Sequence, residues 1–150
     1  MLPTDQAAVI HRIVYEINDP AARVAAVAAL ESAAGLQYLA RCYNWDDEFD
    51  LPLAIADHPR CDLGIALELF WLAGAEELFG TDIPRDEYNE DWFTFCREIT
   101  NRILSGRYAR GMTTFDPALN VAQVHKYRKR GVPEVFLCRL DTTHSTASDD

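Results

Sequence analysis

The sequence predicts an all-α, compact single-domain bundle of about six helices around a buried central helix. In several segments apolar residues recur at the three- and four-residue spacing of one helix face. The segment 63–73 is apolar nearly all the way round, as expected of a helix inside a core. Alternation of apolar and polar residues is nowhere long enough to pair into a sheet. A chain of 150 residues, 49% of them hydrophobic, can build one such core.

Residues 1–35 are predicted to form a helical hairpin. Thr4 is expected to cap the first helix, whose apolar residues fall on one face. Asp19 suits the N-cap of the second helix and Pro20 its first turn, where the missing N–H costs nothing. Gly35 is expected to end that second helix in the left-handed conformation.

Short elements are expected between this hairpin and the central helix. A third helix is predicted at 36–43, and the helical periodicity then stops at 44–50, which indicates a loop. A short helix resumes at 51–56. Pro59 breaks it, because the residue before a proline is pushed out of the α region. Asp62 is well placed to cap the next helix.

The central helix is predicted at 63–73, and Glu68 is its one charged residue. We expect Glu68 to mark a narrow exposed strip; the alternative is a buried carboxylate that acts as an acid or base. After a second acidic stretch at 76–87, another amphipathic helix carries Trp92 and Ile103 on its apolar face and ends at Gly106.

The C-terminal part is predicted to hold one more helix, at 118–130. The apolar run 135–138 is expected to pack as an extended tail or a single strand. Residues 1–140 would then form the single domain, and the Thr-, Ser- and Asp-rich segment 141–150 a disordered tail.

The charge of the chain is negative and unevenly spread. The formal net charge is −10; residues 1–100 carry 6 Lys/Arg against 19 Asp/Glu, and residues 101–150 carry 8 against 5. Such a field disfavours nucleic acid and favours a basic protein partner, unless the charge serves only to keep the protein soluble. The cations between Arg102 and Arg130 are expected to complement a helix dipole and acidic parts of the same chain.

The sequence also predicts a cytoplasmic protein with no contact to a membrane. Its first residues have neither a basic nor an apolar targeting region, and no apolar run reaches about 18 residues. The four cysteines lie in apolar surroundings without a CxxC pair, which favours buried free thiols in a reducing compartment. They are Cys42, Cys61, Cys96 and Cys138.

No metal or cofactor is predicted. Counted from Asn44, a calcium-binding loop would need glycine where Phe49 stands and glutamate where Ile55 stands, and the count from Asp46 fails in the same way. His58 and Cys61 lack the second ligand pair of a structural zinc site. We expect the His58 ring to bond the backbone of a turn instead.

No catalytic residues are predicted either. The chain has no GxSxG elbow for a nucleophile and no glycine-rich phosphate-binding loop.

Several segments, in a specific order, carry a resemblance to a known family. They are Tyr43-Asn44-Trp45-Asp46-Asp47, Asp57-His58-Pro59-Arg60-Cys61-Asp62-Leu63-Gly64, Ala66-Leu67, Phe70-Trp71-Leu72-Ala73, Asn101-Arg102-Ile103 and the stretch from Lys126 to Leu137. Together they resemble the bacterial domain-of-unknown-function family 4274 over about residues 36–140. Glu48 departs from the family pattern, which has a glycine there, and makes the loop more acidic and less turn-prone.

The resemblance implies a fold unit and no catalytic residues. Small bacterial proteins of this kind resemble members of toxin and immunity neighbourhoods, which is an analogy and not chemistry.

Our first functional hypothesis is a non-catalytic protein-binding domain, most concretely an immunity-type protein that neutralises a basic toxin. The candidate binding residues form the acidic loop: Asn44, Trp45, Asp46, Asp47, Glu48 and Asp50. A second hypothesis is a small metal-dependent hydrolase that uses Asp46, Asp47, Asp57 and His58. A third is a structural or regulatory module that serves another protein.

The aromatic residues of the loop leave its role open. Aromatic anchors surrounded by charge are typical of binding surfaces. Alternatively, Trp45 and Phe49 are core plugs that pin a solvated loop.

Overall fold

The computed structural model of the chain describes residues 3–141. These residues form eight α-helices and one 3₁₀ helix, so the all-α prediction is confirmed, with more helices than the six expected. The α-helices are α1 (Thr4–Tyr15), α2 (Pro20–Ala28), α3 (Ala33–Cys42), α4 (Asp50–Asp57), α5 (Leu63–Leu72), α6 (Glu90–Leu104), α7 (Val121–Lys129) and α8 (Glu134–Leu137). The 3₁₀ helix, Ala75–Leu78, follows α5.

Helix α5 lies at the centre of the core, as predicted. Every residue from Gly64 to Phe70 is buried, and α5 packs against α3, α4, α6 and the 3₁₀ helix. Phe70 stacks on Phe136 of α8, with 3.9 Å between ring centroids. A helix surrounded by other helices needs apolar residues on all faces, which explains its composition.

Side-chain caps set the beginnings of four of the helices in residues 3–141, α2, α3, α5 and α7. The Asp19 Oδ2 accepts the N–H of Ala22 at 3.0 Å and begins α2, as predicted. Ser32 Oγ caps α3 by accepting the N–H of Gly35 at 3.0 Å. Gly35 therefore lies inside α3. The prediction that it ends α2 was wrong. The capping role of Thr4 was also wrong, because Pro3 occupies the N-cap position of α1.

The segment after α6 crosses closely over the beginning of α5. Asp62 caps α5 through the N–H of Ile65 at 3.1 Å, and its second oxygen accepts the N–H of Thr113 at 3.2 Å. The N–H of Leu63 donates to Ala109 O at 2.8 Å. A Cβ on Gly64 would lie 2.5 Å from the Thr113 carbonyl oxygen, so the crossing requires glycine there.

The two N-terminal helices share the core with the rest of the described chain. Helix α1 packs against α3, and α2 packs against α4. Ile10, Ile13 and Val27 are buried in the same apolar cluster as α5. Arg23 closes the end of α1, where its Nε donates to Ile17 O at 2.6 Å.

The C-terminal part differs from the prediction in two respects. Helix α7 begins three residues later than expected, at Val121. The run expected as an extended tail or strand is the short helix α8, which turns the Phe136 ring onto Phe70. After α8, Leu140 forms an antiparallel bridge with Phe115. Of the predicted disordered tail, 142–150 lies outside the described residues.

Glu68 is buried, and its predicted exposure was wrong. The Arg41 guanidinium donates two hydrogen bonds to the carboxylate, one from Nε at 2.5 Å and one from Nη2 at 2.9 Å. Gln37 Nε2 donates a third at 2.8 Å. A charge can be buried when it is paired and hydrogen-bonded in this way. The hydrogen bonds to Glu68 raise the pKa of the Arg41 guanidinium.

The cysteine prediction is right for two of the four residues. Cys61 and Cys96 are buried thiols, and burial raises the pKa of each to about 12. Cys42 is half-buried and Cys138 is exposed, so the expectation of burial was wrong for Cys138. Within residues 3–141, no helix combines the length and the apolar composition that crossing a membrane requires.

Candidate functional site

The acidic loop, residues 44–50, connects α3 to α4 and has a defined backbone. The Asn44 Oδ1 accepts the N–H of Asp46 at 3.1 Å, and the Asn44 carbonyl accepts the N–H of Asp47 at 3.0 Å. Asparagine favours such turns because its side chain imitates a backbone carbonyl. Tyr43 also donates its hydroxyl to the carbonyl of Glu48. The loop is therefore held at both ends by local hydrogen bonds.

Two aromatic residues anchor the loop to the core. Trp45 is partly buried, and its Nε1 donates to Ala40 O at 2.9 Å. The Trp45 ring lies 6.0 Å from the Phe95 ring of α6, and Phe49 lies 5.3 Å from the same ring, centroid to centroid. Trp45 and Phe49 thus pack on the core, whereas the acidic side chains of the loop are exposed to solvent.

The carboxylates of the loop point into solvent. Asp46, Asp47, Glu48 and Asp50 are all exposed, and within residues 3–141 none of them forms an ion pair. The pKa of the neighbouring Tyr43 phenol is raised to about 12. Burial of the phenol is the largest cause, and the negative charge of Asp47 comes next. The loop is a concentrated negative surface on a rigid base.

A groove of about 350 Å³ adjoins the acidic loop, between α4 and α6. Phe49, Leu53 and Phe95 form its apolar floor. Three carboxylates line its rim, those of Asp50, Asp91 and Glu98. Thr94 and one cation, Arg102, complete the lining. The site therefore combines apolar surface with negative charge.

Arg102, the cation of the groove, is already paired. Its Nη1 lies 2.7 Å from Asp57 Oδ1, and its Nε donates to Glu98 Oε1 at 2.9 Å. Tyr108 joins the pair through its hydroxyl, 3.3 Å from Nη1. Two carboxylates of the groove, Asp50 and Asp91, have no ion-pair partner within the described chain.

The four residues of the hydrolase hypothesis lie apart. Asp46 and Asp47 precede α4, whereas Asp57 and His58 are at its other end, and eight helical residues span about 12 Å. Asp57 is bound to Arg102. Among the described residues, no group of three or more His, Cys, Asp or Glu side chains could hold a metal ion. That the protein requires no metal stays a prediction.

His58 is a structural residue, as the sequence predicted. The ring is buried, its Nε2 lies 2.8 Å from Leu30 O, and its Nδ1 accepts the N–H of Arg60 at 3.0 Å. Because Nδ1 accepts, the ring proton is on Nε2 and is donated to Leu30. Both ring nitrogens are thus hydrogen-bonded to backbone groups, one of Leu30 and one of Arg60.

Replacing His58 with alanine is expected to lower the free energy of unfolding by about 1–3 kcal/mol, because two partly buried backbone groups, of Leu30 and Arg60, lose their hydrogen-bond partner. Urea denaturation measures the change. His125→Ala is the matched control: His125 is exposed, and the expected change is within about 0.5 kcal/mol. Equal stabilities of the two variants would show that water replaces the ring.

The groove was missed by sequence reasoning. Asp91, Thr94 and Glu98 lie on the outer face of α6, more than 40 residues after the acidic loop. Their three- and four-residue spacing places them on one face, but a solvated face has the same spacing. No pattern in the sequence pairs that face with α4.

Comparison with known families bears on this region. Residues 31–104 match the model of a family described as "Domain of unknown function (DUF4274)". This segment is a DUF4274 domain. It contains α3 to α6 and the whole of the acidic loop and the groove. Helices α1, α2, α7 and α8 lie outside the matched segment, and so does the part of the earlier resemblance between Lys126 and Leu137.

Neither the curated proteins nor the solved structures contain a significant match to the chain. The DUF4274 description assigns no activity, so every functional statement about the domain depends on its own residues.

Proposed function

We propose that this protein is a non-catalytic binding protein of the cytoplasm, whose DUF4274 domain binds a basic protein through the acidic loop. In its most concrete form, it is an immunity-type protein that occludes a basic toxin. The observation that carries the proposal is the loop itself: four exposed carboxylates without ion-pair partners in the described chain, Asp46, Asp47, Glu48 and Asp50.

The rigidity of the loop supports a binding role. Trp45 and Phe49 pack on Phe95, so the carboxylates are presented on an ordered backbone. A preorganised surface loses less conformational entropy when it binds, and more of its interaction energy remains as affinity. The anchors also keep the loop in place when the carboxylates are substituted.

The charge distribution supports a basic partner. Residues 1–100 carry 6 cations against 19 acids, and the acidic loop adds a local excess. Such a field accelerates encounters with a cationic surface and repels nucleic acid. The acceleration weakens with salt, because exposed charges are screened within about 8 Å at physiological ionic strength.

Neutralising the acidic loop is expected to weaken partner capture without unfolding the protein. The variant carries Asp46→Asn, Asp47→Asn, Glu48→Gln and Asp50→Asn. Its melting temperature should stay nearly unchanged, because the four side chains are exposed. The immobilised chain first captures its partner from an extract of the native cell, and mass spectrometry identifies it. Binding of the purified partner should then weaken, and its salt dependence should flatten.

A second quadruple variant is the matched control for total charge. Glu31→Gln, Glu77→Gln, Asp82→Asn and Glu87→Gln also neutralise four exposed carboxylates, so both variants raise the formal net charge of −10 equally. We expect the control to bind nearly as the wild type. Unchanged binding by the loop variant would exclude this surface, and a larger loss in the control would move the interface to the acidic segment 76–87, which holds three of the four control residues.

The immunity role has a separate test in living cells. The captured partner, expressed alone in a host without this protein, should stop growth, and co-expression of the wild-type chain should restore it. The loop variant should restore growth less well. A partner that is harmless when expressed alone would contradict the immunity role and leave the binding role intact.

A further inference from the structure

We propose that the groove between α4 and α6 binds one arginine or lysine side chain of the basic partner and is the anchor point of the interface. This inference rests on the proposed function, and it adds which chemical group is recognised and where. The groove has a volume of about 350 Å³, at the lower end of the range for ligand pockets.

The floor of the groove suits the stem of a long cationic side chain. Leu53 is 38% exposed and contributes apolar surface to the groove. Beside it, the rings of Phe49 and Phe95 lie at 31° to each other, 5.3 Å between centroids. Arginine and lysine cover such apolar surface with their methylene groups while the charged end stays at the rim.

The rim of the groove suits the charged end. Asp50 and Asp91 have no ion-pair partner within residues 3–141, and Glu98 shares its charge with Arg102. A guanidinium or ammonium group can pair with these carboxylates and also contact an aromatic ring of the floor.

Other occupants fit the groove less well. An apolar anchor would remove Asp50 and Asp91 from water without giving them a partner, which is costly. An acidic group would be repelled by the three carboxylates around the groove. A long side chain with an apolar stem and a positive end satisfies both the floor and the rim.

The test uses a defined probe, a peptide of six arginines, and its neutral analogue of six citrullines. Binding is followed by nitrogen-15 NMR of the full chain. We expect the arginine peptide to shift the amide signals of 49–53, except Pro52, which has no N–H, and of 91–102, as well as those of the acidic loop. The citrulline peptide, which keeps the shape without the charge, should shift none of them.

Filling the groove should remove its contribution at constant charge. Thr94 is exposed on the groove side of α6, and Thr94→Trp would occupy the space above Phe95. We expect the affinity for the arginine peptide to fall by about tenfold, which corresponds to about 1.4 kcal/mol. Leu104→Trp, at a half-exposed position of the same helix outside the groove, is the control and should bind as the wild type.

A second variant guards against misfolding of Thr94→Trp. Asp91→Asn keeps the shape of the rim and removes one charge, and it should weaken binding by about threefold, since exposed pairs contribute about 0.2–1 kcal/mol. Wild-type affinity in folded Thr94→Trp and in Asp91→Asn would overturn the groove proposal.

Failure of the groove is distinguishable from failure of the proposed function. The triple variant Asp46→Asn, Asp47→Asn and Glu48→Gln leaves the groove residues unchanged. If it alone loses affinity for the natural partner, the acidic loop binds and the groove does not. If Thr94→Trp alone loses that affinity, the groove is the site and the loop proposal is wrong.

Discussion

Replacing Leu67 with alanine is expected to lower the free energy of unfolding by about 2–5 kcal/mol, and replacing Phe70 with alanine by about 3–5 kcal/mol. Both side chains are buried on α5, and Phe70 also loses its stacking on Phe136, whose ring centroid is 3.9 Å away. The cost combines the lost burial of the side chain with the cavity that remains. Helices on several sides of α5 hold that cavity open.

Urea denaturation followed by far-ultraviolet circular dichroism measures both changes. Leu104→Ala is the matched control, because Leu104 is half-exposed at the end of α6 and its truncation leaves no cavity. It should change the free energy of unfolding much less than Leu67→Ala. A near-neutral Leu67→Ala would show that α5 is not the centre of the core.

Replacing Arg41 with alanine is expected to lower the free energy of unfolding by about 3 kcal/mol, the lower end of the range for breaking a buried ion pair. The Glu68 side chain is 8% exposed and that of Arg41 is 56% exposed. Without Arg41, the carboxylate keeps one donor, Gln37, and its negative charge loses its ion-pair partner. The lower end applies because water already reaches the guanidinium.

Two further variants isolate the cause of that loss. Arg12→Ala removes an exposed arginine from a pair with Glu16, the residue that follows α1, and should cost less than about 0.5 kcal/mol. The double variant Arg41→Ala with Glu68→Leu removes the buried charge as well and should recover much of the stability. If the double variant is as unstable as Arg41→Ala, the lost packing of the Arg41 stem is the cause instead.

Features that depend on neighbouring residues in the chain were predictable. Asp19 and Asp62 cap the helices they were expected to cap, because a cap needs only an oxygen and the N–H groups that follow it. The loop at 44–50 was predicted from an interruption of the helical period, whereas the role of its two aromatic residues was left open between a binding surface and packing on the core. Helix α5 was predicted because few polar residues interrupt its apolar sequence.

The predictions were wrong where a local sequence pattern had two possible structural interpretations. A glycine such as Gly35 is typical of helix ends. Ser32, however, caps α3 three residues earlier, so Gly35 lies in the first turn of α3. Glu68 was expected at the surface because most carboxylates are exposed. Its partner Arg41 lies 27 residues earlier, a separation at which the sequence shows no relation between the two.

The sequence by itself determined the all-α class, the central helix and the acidic loop, since each follows from the order and spacing of residues within one segment. Only the tertiary structure decided the burial of Glu68, the fold of the Phe136 segment and the groove between α4 and α6. These features join residues that are far apart in the chain. Packing of the whole core, at close to crystalline density, determines which distant side chains come into contact. The periodicity within one segment carries no information about these contacts.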